Sequence, residues 1–265
     1  MLNLAKFADK KFGQNFLKSS VVIDKIIQAM PSDNLKVVEI GPGLGDLTKE
    51  LLKDKFVVAY EVDGRLCEHL NTIFSDSIIN GRLKIKCGDV LTHWQEESLS
   101  DENYNLVANL PYYIATNIIL RALNDERCQS ILVMVQKEVA QKFSATVGDK
   151  EFSALSVITQ NVAEADLLFD VDACEFVPPP KVTSAILFIQ KRSNHNDRGF
   201  EDFLKVAFCQ PRKKLLNNLS SRYNKDLLKT IFEEIGIDQQ IRPHQVTTSS
   251  YHRIYIATKK DTDER

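Results

Sequence analysis

Between residues 20 and 170 the chain alternates short apolar runs with helical stretches, and few architectures satisfy that alternation. The strand candidates are Lys36 to Ile40, Phe56 to Glu61, Leu83 to Cys87, Tyr104 to Ala108 and Ser130 to Val135. Around them, Val21 to Met30, Asp46 to Lys53, Arg65 to Phe74, Ala115 to Leu123, Lys137 to Ala145 and Ala154 to Val162 read as helices. In the first of these Val22, Ile26, Ile27 and Met30 share one face. Strands separated by helices predict an α/β fold with a mostly parallel sheet covered on both sides.

The pattern changes after Asp166. Leu167 to Val171 and Ser184 to Gln190 are strand-like with no helix between them, which suggests antiparallel strands at the sheet edge. The polar stretch Arg192 to Gly199 is the best linker candidate. Beyond it, Phe200 to Cys209, Lys213 to Arg222, Lys225 to Ile235 and Ser249 to Lys259 read as short helices. The expected division is an α/β domain over residues 1–192 and a small all-α domain over 193–265.

One strand runs directly into glycines: Val37-Val38-Glu39-Ile40-Gly41-Pro42-Gly43-Leu44-Gly45. Glycines allow close approach of the backbone to a ligand, and Pro42 ends the strand. Glu61 closes the next strand 20 residues after Gly41, a position suited to ribose hydroxyls. Asp89, in Cys87-Gly88-Asp89-Val90, closes the third. Carboxylates at successive strand ends suggest a nucleoside ligand at the usual ligand edge of an α/β sheet. The spacing is GxGxG rather than the dinucleotide GxGxxG, and Glu39 would sit awkwardly beside a pyrophosphate.

Asn109-Leu110-Pro111-Tyr112 follows the fourth strand. A turn of ordinary function has a similar composition. The same residues also suit chemistry at an exocyclic amino group, whose lone pair is delocalised into the base. The Asn109 amide oxygen and the Leu110 carbonyl can accept both amine hydrogens and favour a pyramidal nitrogen. Pro111 fixes φ and removes a competing donor, and Tyr112 offers a ring on which an extruded base can stack. Tyr113, by contrast, is expected to pack as a core ring.

Together these segments resemble the S-adenosylmethionine-dependent adenine-N6 methyltransferases. Phe12-Gly13-Gln14-Asn15-Phe16-Leu17, Gln136-Lys137-Glu138-Val139-Ala140 and Phe176-Val177-Pro178-Pro179-Pro180-Lys181-Val182 narrow the likeness to the rRNA adenine dimethyltransferases. The resemblance runs from about residue 6 to 256 and implies a Rossmann-like class I methyltransferase domain with a helical C-terminal domain that contacts rRNA. It is strongest to the bacterial small-subunit branch, which dimethylates N6 of two adjacent adenosines in the 3′-terminal hairpin loop of 16S rRNA and acts in subunit biogenesis. The alternatives are the resistance-type branch acting on 23S rRNA, an assembly factor with secondary catalysis and, more remotely, a DNA adenine methyltransferase. The roles it implies are Gln14, Asn15, Leu17, Gly41, Glu61, Asp89, Val90 and Asn109 for S-adenosyl-L-methionine. Asn109, Leu110, Pro111 and Tyr112 would serve the target adenine, with Tyr112 and Phe176 sandwiching it. Phe152-Ser153 and Pro211 depart from the family pattern and bear on RNA contact alone.

Charge and cysteine usage agree with this picture without demanding it. The net charge is −2, yet residues 193–265 hold 13 Lys and Arg against 10 Asp and Glu, and the first 20 residues carry Lys6, Lys10, Lys11 and Lys18 against Asp9. Basic ends on an acidic body are compatible with phosphate contacts. No run is long and apolar enough for a membrane span or a signal peptide, so a cytoplasmic protein is expected. Cys67, Cys87, Cys128, Cys174 and Cys209 are scattered and lack metal-ligand spacing, which predicts reduced thiols and no metal site. A monomer is expected.

Overall fold

The structure, a computed structural model, describes residues 14–94, 98–193 and 197–263. Phe12 and Gly13 of the N-terminal motif, and Lys6, Lys10 and Lys11, lie outside the described residues. The chain divides into two compact units. One reaches Ala140 and resumes over Ala165–Asn194; the other takes Gln141–Glu164 and the chain from His195 onward.

The first unit opens with a two-residue strand β1 (Phe16–Leu17) and helix α1 (Ser20–Gln28), capped by Ser19, whose hydroxyl accepts from the Val22 N–H. There follow β2 (Lys36–Ile40), α2 (Asp46–Leu51), β3 (Val57–Glu61), α3 (Gly64–Ile73), α4 (Ser75–Ile79), β4 (Leu83–Cys87), α5 (Val90–His93), β5 (Tyr104–Asn109), α6 (Ala115–Asn124) and β6 (Cys128–Gln136). Helices α7 (Lys137–Ser144) and α8 (Ala154–Val162) lead to β7 (Ala163–Val171), β8 (Phe176–Val177) and β9 (Ser184–Lys191). The main sheet has seven strands in the order β4-β3-β2-β5-β6-β9-β7. Strands β4 to β6 run parallel, with Val38 of β2 opposite Val58 on one side and Leu106 on the other. Strand β9 is antiparallel to β6, so the departure from parallel order falls at the edge where the helix-free segment predicted it.

The apolar strands earn their central places by burial. Val37, Val38, Leu106, Val107, Ile131 and Val133 are buried within the sheet, as expected where helices cover both faces. Edge strand β7 instead alternates exposed and half-buried positions between its two buried ends. Chain order reverses at β2: β3 and β4 extend to one side, β5 and β6 to the other. That switch point opens a crevice beyond the strand ends.

The second unit contains α8, α9 (Arg198–Ala207), α10 (Leu215–Leu219), α11 (Lys225–Ile235) and α12 (Thr248–Asp263). Its interior is aromatic: Phe200 stacks on His252 at 4.0 Å between centroids, and Phe203 packs against Tyr223, Tyr251 and Tyr255. Where residues 1–192 are expected to form one contiguous domain, residues 141–164 instead group with the C-terminal helices. Side chains tie them there. The Thr248 hydroxyl donates to Gln160 Oε1 at 2.7 Å, His252 Nε2 lies 2.6 Å from Asn161 Oδ1, and Phe152 packs on Phe208.

The expectation of five thiols is also corrected. Cys67 and Cys87 form a disulfide with Cα atoms 6.2 Å apart, while Cys128, Cys174 and Cys209 are free. Parallel pairing sets Cys87 beside Glu61, and α3 returns Cys67 over the same strand end. Linear spacing gives no hint of that proximity. Among the described residues no helix is long and apolar enough to cross a membrane.

Candidate active site

The crevice at the ends of β2 to β5 is a cleft of about 320 Å³. Its floor is the glycine turn. Gly43 adopts φ +60°, and a Cβ there would sit 3.0 Å from Cδ1 of Phe16; at Gly45, φ +88°, a Cβ would fall 2.6 Å from the Phe74 ring. Only glycine gives the turn both its handedness and its clearance.

Two buried carboxylates flank the turn. Glu61 is 4% exposed, and its carboxylate accepts from the Gly43 N–H at 3.1 Å and the Asp63 N–H at 3.0 Å. Burial raises its proton affinity, and these backbone donors pull it back toward the charged form. Glu39 is 1% exposed and accepts from the Thr48 hydroxyl at 2.7 Å. With one such donor against full burial, its pKa is pushed up to about 8. Asp63, held below the usual carboxylate range chiefly by Arg65, also accepts from Gln14 Nε2 at 3.2 Å. Asp89 stands exposed at the end of β4 and caps α5 through the Leu91 N–H at 2.9 Å. Gly88 N–H bonds the Glu61 carbonyl at 2.8 Å, which fixes the two strand ends together.

Across the cleft, Asn109 ends β5. Its Nδ2 donates to the Asn15 carbonyl at 3.1 Å, which leaves Oδ1 as the acceptor. Pro111 turns the chain, with the Ile114 N–H returning to its carbonyl at 3.2 Å. Tyr112 is half-buried and its hydroxyl lies 2.6 Å from Ser184 Oγ, which anchors the ring from its far end.

Gln14, Asn15, Leu17, Gly41, Glu61, Asp89, Val90, Asn109, Leu110, Pro111 and Tyr112 all line this one cleft, although they come from segments nearly 100 residues apart. Phe176 does not. It is 2% exposed, pairs with Leu17 in the β1–β8 ribbon and packs in the core with Val171 and Ile186. An apolar Phe-Val pair finds a strand partner here, so the sandwich expected of Tyr112 and Phe176 is not assembled in this structure. Tyr113 departs in the opposite sense: expected in the core, it is 63% exposed at the cleft. It follows the turn and has no strand or helix to bury it. Val62, Leu66 and Asp46 also line the cleft and were missed. Their only sequence signal is adjacency to Glu61 and to the glycine turn. Among the described residues no group of three or more His, Cys, Asp or Glu could hold a metal ion.

A switch-point cleft with a glycine turn, strand-end carboxylates and an Asn-Leu-Pro-Tyr loop defines a Rossmann-like class I methyltransferase. The comparisons sharpen that class. The chain matches the ribosomal RNA adenine dimethylase family over residues 6–260. It is 58% identical over 248 residues to ribosomal RNA small subunit methyltransferase A of Sulfurimonas denitrificans, covering 94% of this chain and 92% of the relative. A dimethyladenosine transferase from Plasmodium falciparum superposes with a TM-score of 0.77 at 23% identity, over 93% of this chain and 98% of that one. The 23S rRNA methyltransferase ErmE superposes with a TM-score of 0.71 at 25% identity, over 92% and 100%. The chain belongs to the ribosomal RNA adenine dimethylase family: it is an enzyme, a dimethyltransferase.

Proposed function

We propose that the protein transfers methyl groups from S-adenosyl-L-methionine to N6 of two adjacent adenosines in the 3′-terminal hairpin loop of 16S rRNA, acting as a monomer on the small ribosomal subunit in the cytoplasm. The observation that carries this reading is the Asn109 amide. Its nitrogen is committed to the Asn15 carbonyl, so its oxygen is presented as an acceptor beside the Leu110 carbonyl. Two acceptors with no acid or base between them suit an amine that must be oriented rather than deprotonated.

The cleft fits the cofactor on its donor set. Glu61 and Asp89 make an acidic edge that accepts ribose and amine hydrogens and favours a cation, and it would repel a pyrophosphate. The cofactor supplies an electrophilic methyl on a sulfonium. Glu61 would hold the ribose, Asp89 the adenine amino group, Val90 its flank, and Gly41 the methionine part, with Gln14, Asn15 and Leu17 covering it. Tyr112 offers a stacking face for the target adenine, and positioning of the amine supplies most of the acceleration. The basic run Arg212-Lys213-Lys214 is exposed at the start of α10, where the helix dipole disfavours cations. Phosphate contact explains that placement, and with it the role of the C-terminal domain in binding rRNA.

The test offers labelled S-adenosylmethionine with small subunits, large subunits and naked RNA from cells lacking the activity, and identifies the product nucleoside. Dimethyladenosine on small subunits alone is expected. Label in large-subunit RNA would replace the reading with the 23S-directed one. Binding without transfer would replace it with an assembly factor.

A further inference from the structure

Five consecutive residues of the N-terminal arm each grip a different element around the cleft. Gln14 bonds Asp63 beyond β3, and Asn15 holds Asn109 at the end of β5. The Phe16 ring lies against Gly43 in the glycine turn, and Leu17 pairs with Phe176 of β8. Lys18 Nζ reaches Asp46 Oδ2 in the first turn of α2 at 2.5 Å, while the Lys18 N–H bonds the Glu175 carbonyl at 2.9 Å. The Lys18–Asp46 pair is only partly exposed, with side chains 24% and 39% accessible.

The Asn15–Asn109 bond has a consequence for chemistry. A backbone carbonyl only accepts, so the amide nitrogen of Asn109 must face it and the amide oxygen must face away. Among the described residues, the bond to the Asn15 carbonyl is what fixes which end of that amide the target meets. We propose that Lys18 and Asp46 form a latch that seats the arm and thereby sets the orientation of the Asn109 amide, making them a positioning pair for methyl transfer. The inference rests on the reading of Asn109 as an acceptor for the target amine and goes beyond it in naming what aims that acceptor. It also couples the two halves of the cleft, because the residues that cover the cofactor are the ones that orient Asn109.

The test replaces Lys18 with Met, which keeps the aliphatic stem, and compares it with the charge-swapped Lys18→Asp/Asp46→Lys double variant. Hydrogen exchange of the Asn109 side-chain amide, assigned by its loss in Asn109→Asp, reads the latch directly and without turnover. In Lys18→Met this exchange is expected to accelerate and kcat on small subunits to fall by about tenfold or more, up to the roughly hundredfold loss that a misplacement of about 1 Å can produce. Because Gln14, Asn15 and Leu17 also cover the cofactor, S-adenosylhomocysteine binding, measured by calorimetry, is expected to weaken together with kcat, and the charge swap is expected to recover it. The charge swap is expected to recover both exchange protection and kcat. Amide exchange unchanged in Lys18→Met would overturn the latch, as would parallel losses of kcat and product affinity that the swap does not recover. Inactivity of the wild-type protein on every RNA would instead overturn the function proposed above.

Discussion

Replacing Glu39 with Gln should remove a defined part of the pH dependence of stability. Glu39 is 1% exposed, and burial pushes its pKa from the ordinary 4.5 to about 8. Between those values the native protein holds a proton that the unfolded chain releases. Stability therefore falls as pH rises through this window and is flat above it. The interval corresponds to roughly 5 kcal/mol if the whole shift is expressed as folding energy. A Gln oxygen can still accept from Thr48, so the neutral hydrogen bond survives. The new amide hydrogens add a cost that does not vary with pH. The assay is urea unfolding at pH 5, 7 and 9, followed by the fluorescence of Trp94, the single tryptophan, which is 6% exposed in the same unit. Wild type should lose at least about 2 kcal/mol more than Glu39→Gln between pH 5 and 9. A smaller slope remains in the variant, since Glu61 is shifted in the same direction. Equal slopes in the two proteins would refute the assignment of a proton to buried Glu39.

Asp125→Ala should destabilise the first unit by about 3 kcal/mol, because the carboxylate accepts from Trp94 Nε1, the Tyr104 hydroxyl and the Leu99 and Arg127 N–H groups, and its loss strands buried donors. The same urea titration reads it, and a loss under about 1 kcal/mol would contradict the prediction. Gly43→Ala should cost about 1–2 kcal/mol through its positive φ and the Phe16 contact, and calorimetry should register weaker S-adenosylhomocysteine binding; unchanged values in both would show the turn to be tolerant. Asn109→Ala should slow the first methyl transfer more than the second, since unmethylated N6 has two hydrogens to place and monomethyl N6 one, which the Leu110 carbonyl can take. Nucleoside mass spectrometry should then find the little product made by the variant enriched in dimethyladenosine; accumulation of the monomethyl form would refute this.

What was legible in the sequence was what local pattern encodes. Apolar runs separated by helical periods gave the parallel sheet, and the glycine turn with Glu61 and Asp89 marked one edge of it. Parallel topology then brings those strand ends together whatever their distance along the chain. Features that depend on pairing between remote segments were not legible. Phe176 is expected from the resemblance to stack on the target base opposite Tyr112, but a two-residue ribbon with Leu17 buries it. Tyr113 reads as a core ring, but it is largely exposed at the cleft. Cys67 and Cys87 meet only because α3 folds back on the β3–β4 pair, and residues 141–164 join the helical unit through Gln160, Asn161 and Phe152. In each case a tertiary contact, absent from any local window, decides the outcome.

The distribution of charge within the cleft bears on the kind of catalysis it can support. Both carboxylates whose proton affinity burial raises, Glu39 and Glu61, stand at the nucleoside edge, where they meet backbone N–H groups and a hydroxyl. The Asn109–Tyr112 side offers an amide, a carbonyl, a proline and a phenol whose ionisation burial disfavours. A general base would need a pKa near the working pH and a place within hydrogen-bond reach of the amine. The group with such a pKa, Glu39, is 1% exposed with its carboxyl bonded to Thr48, so it is not presented to a target in the cleft. Methyl transfer to a neutral amine has no need to meet both, because the proton can leave to water once the nitrogen carries its new bond. The arrangement therefore favours orientation over proton abstraction, and it explains why the arm that aims Asn109 is bound at every residue from Gln14 to Lys18.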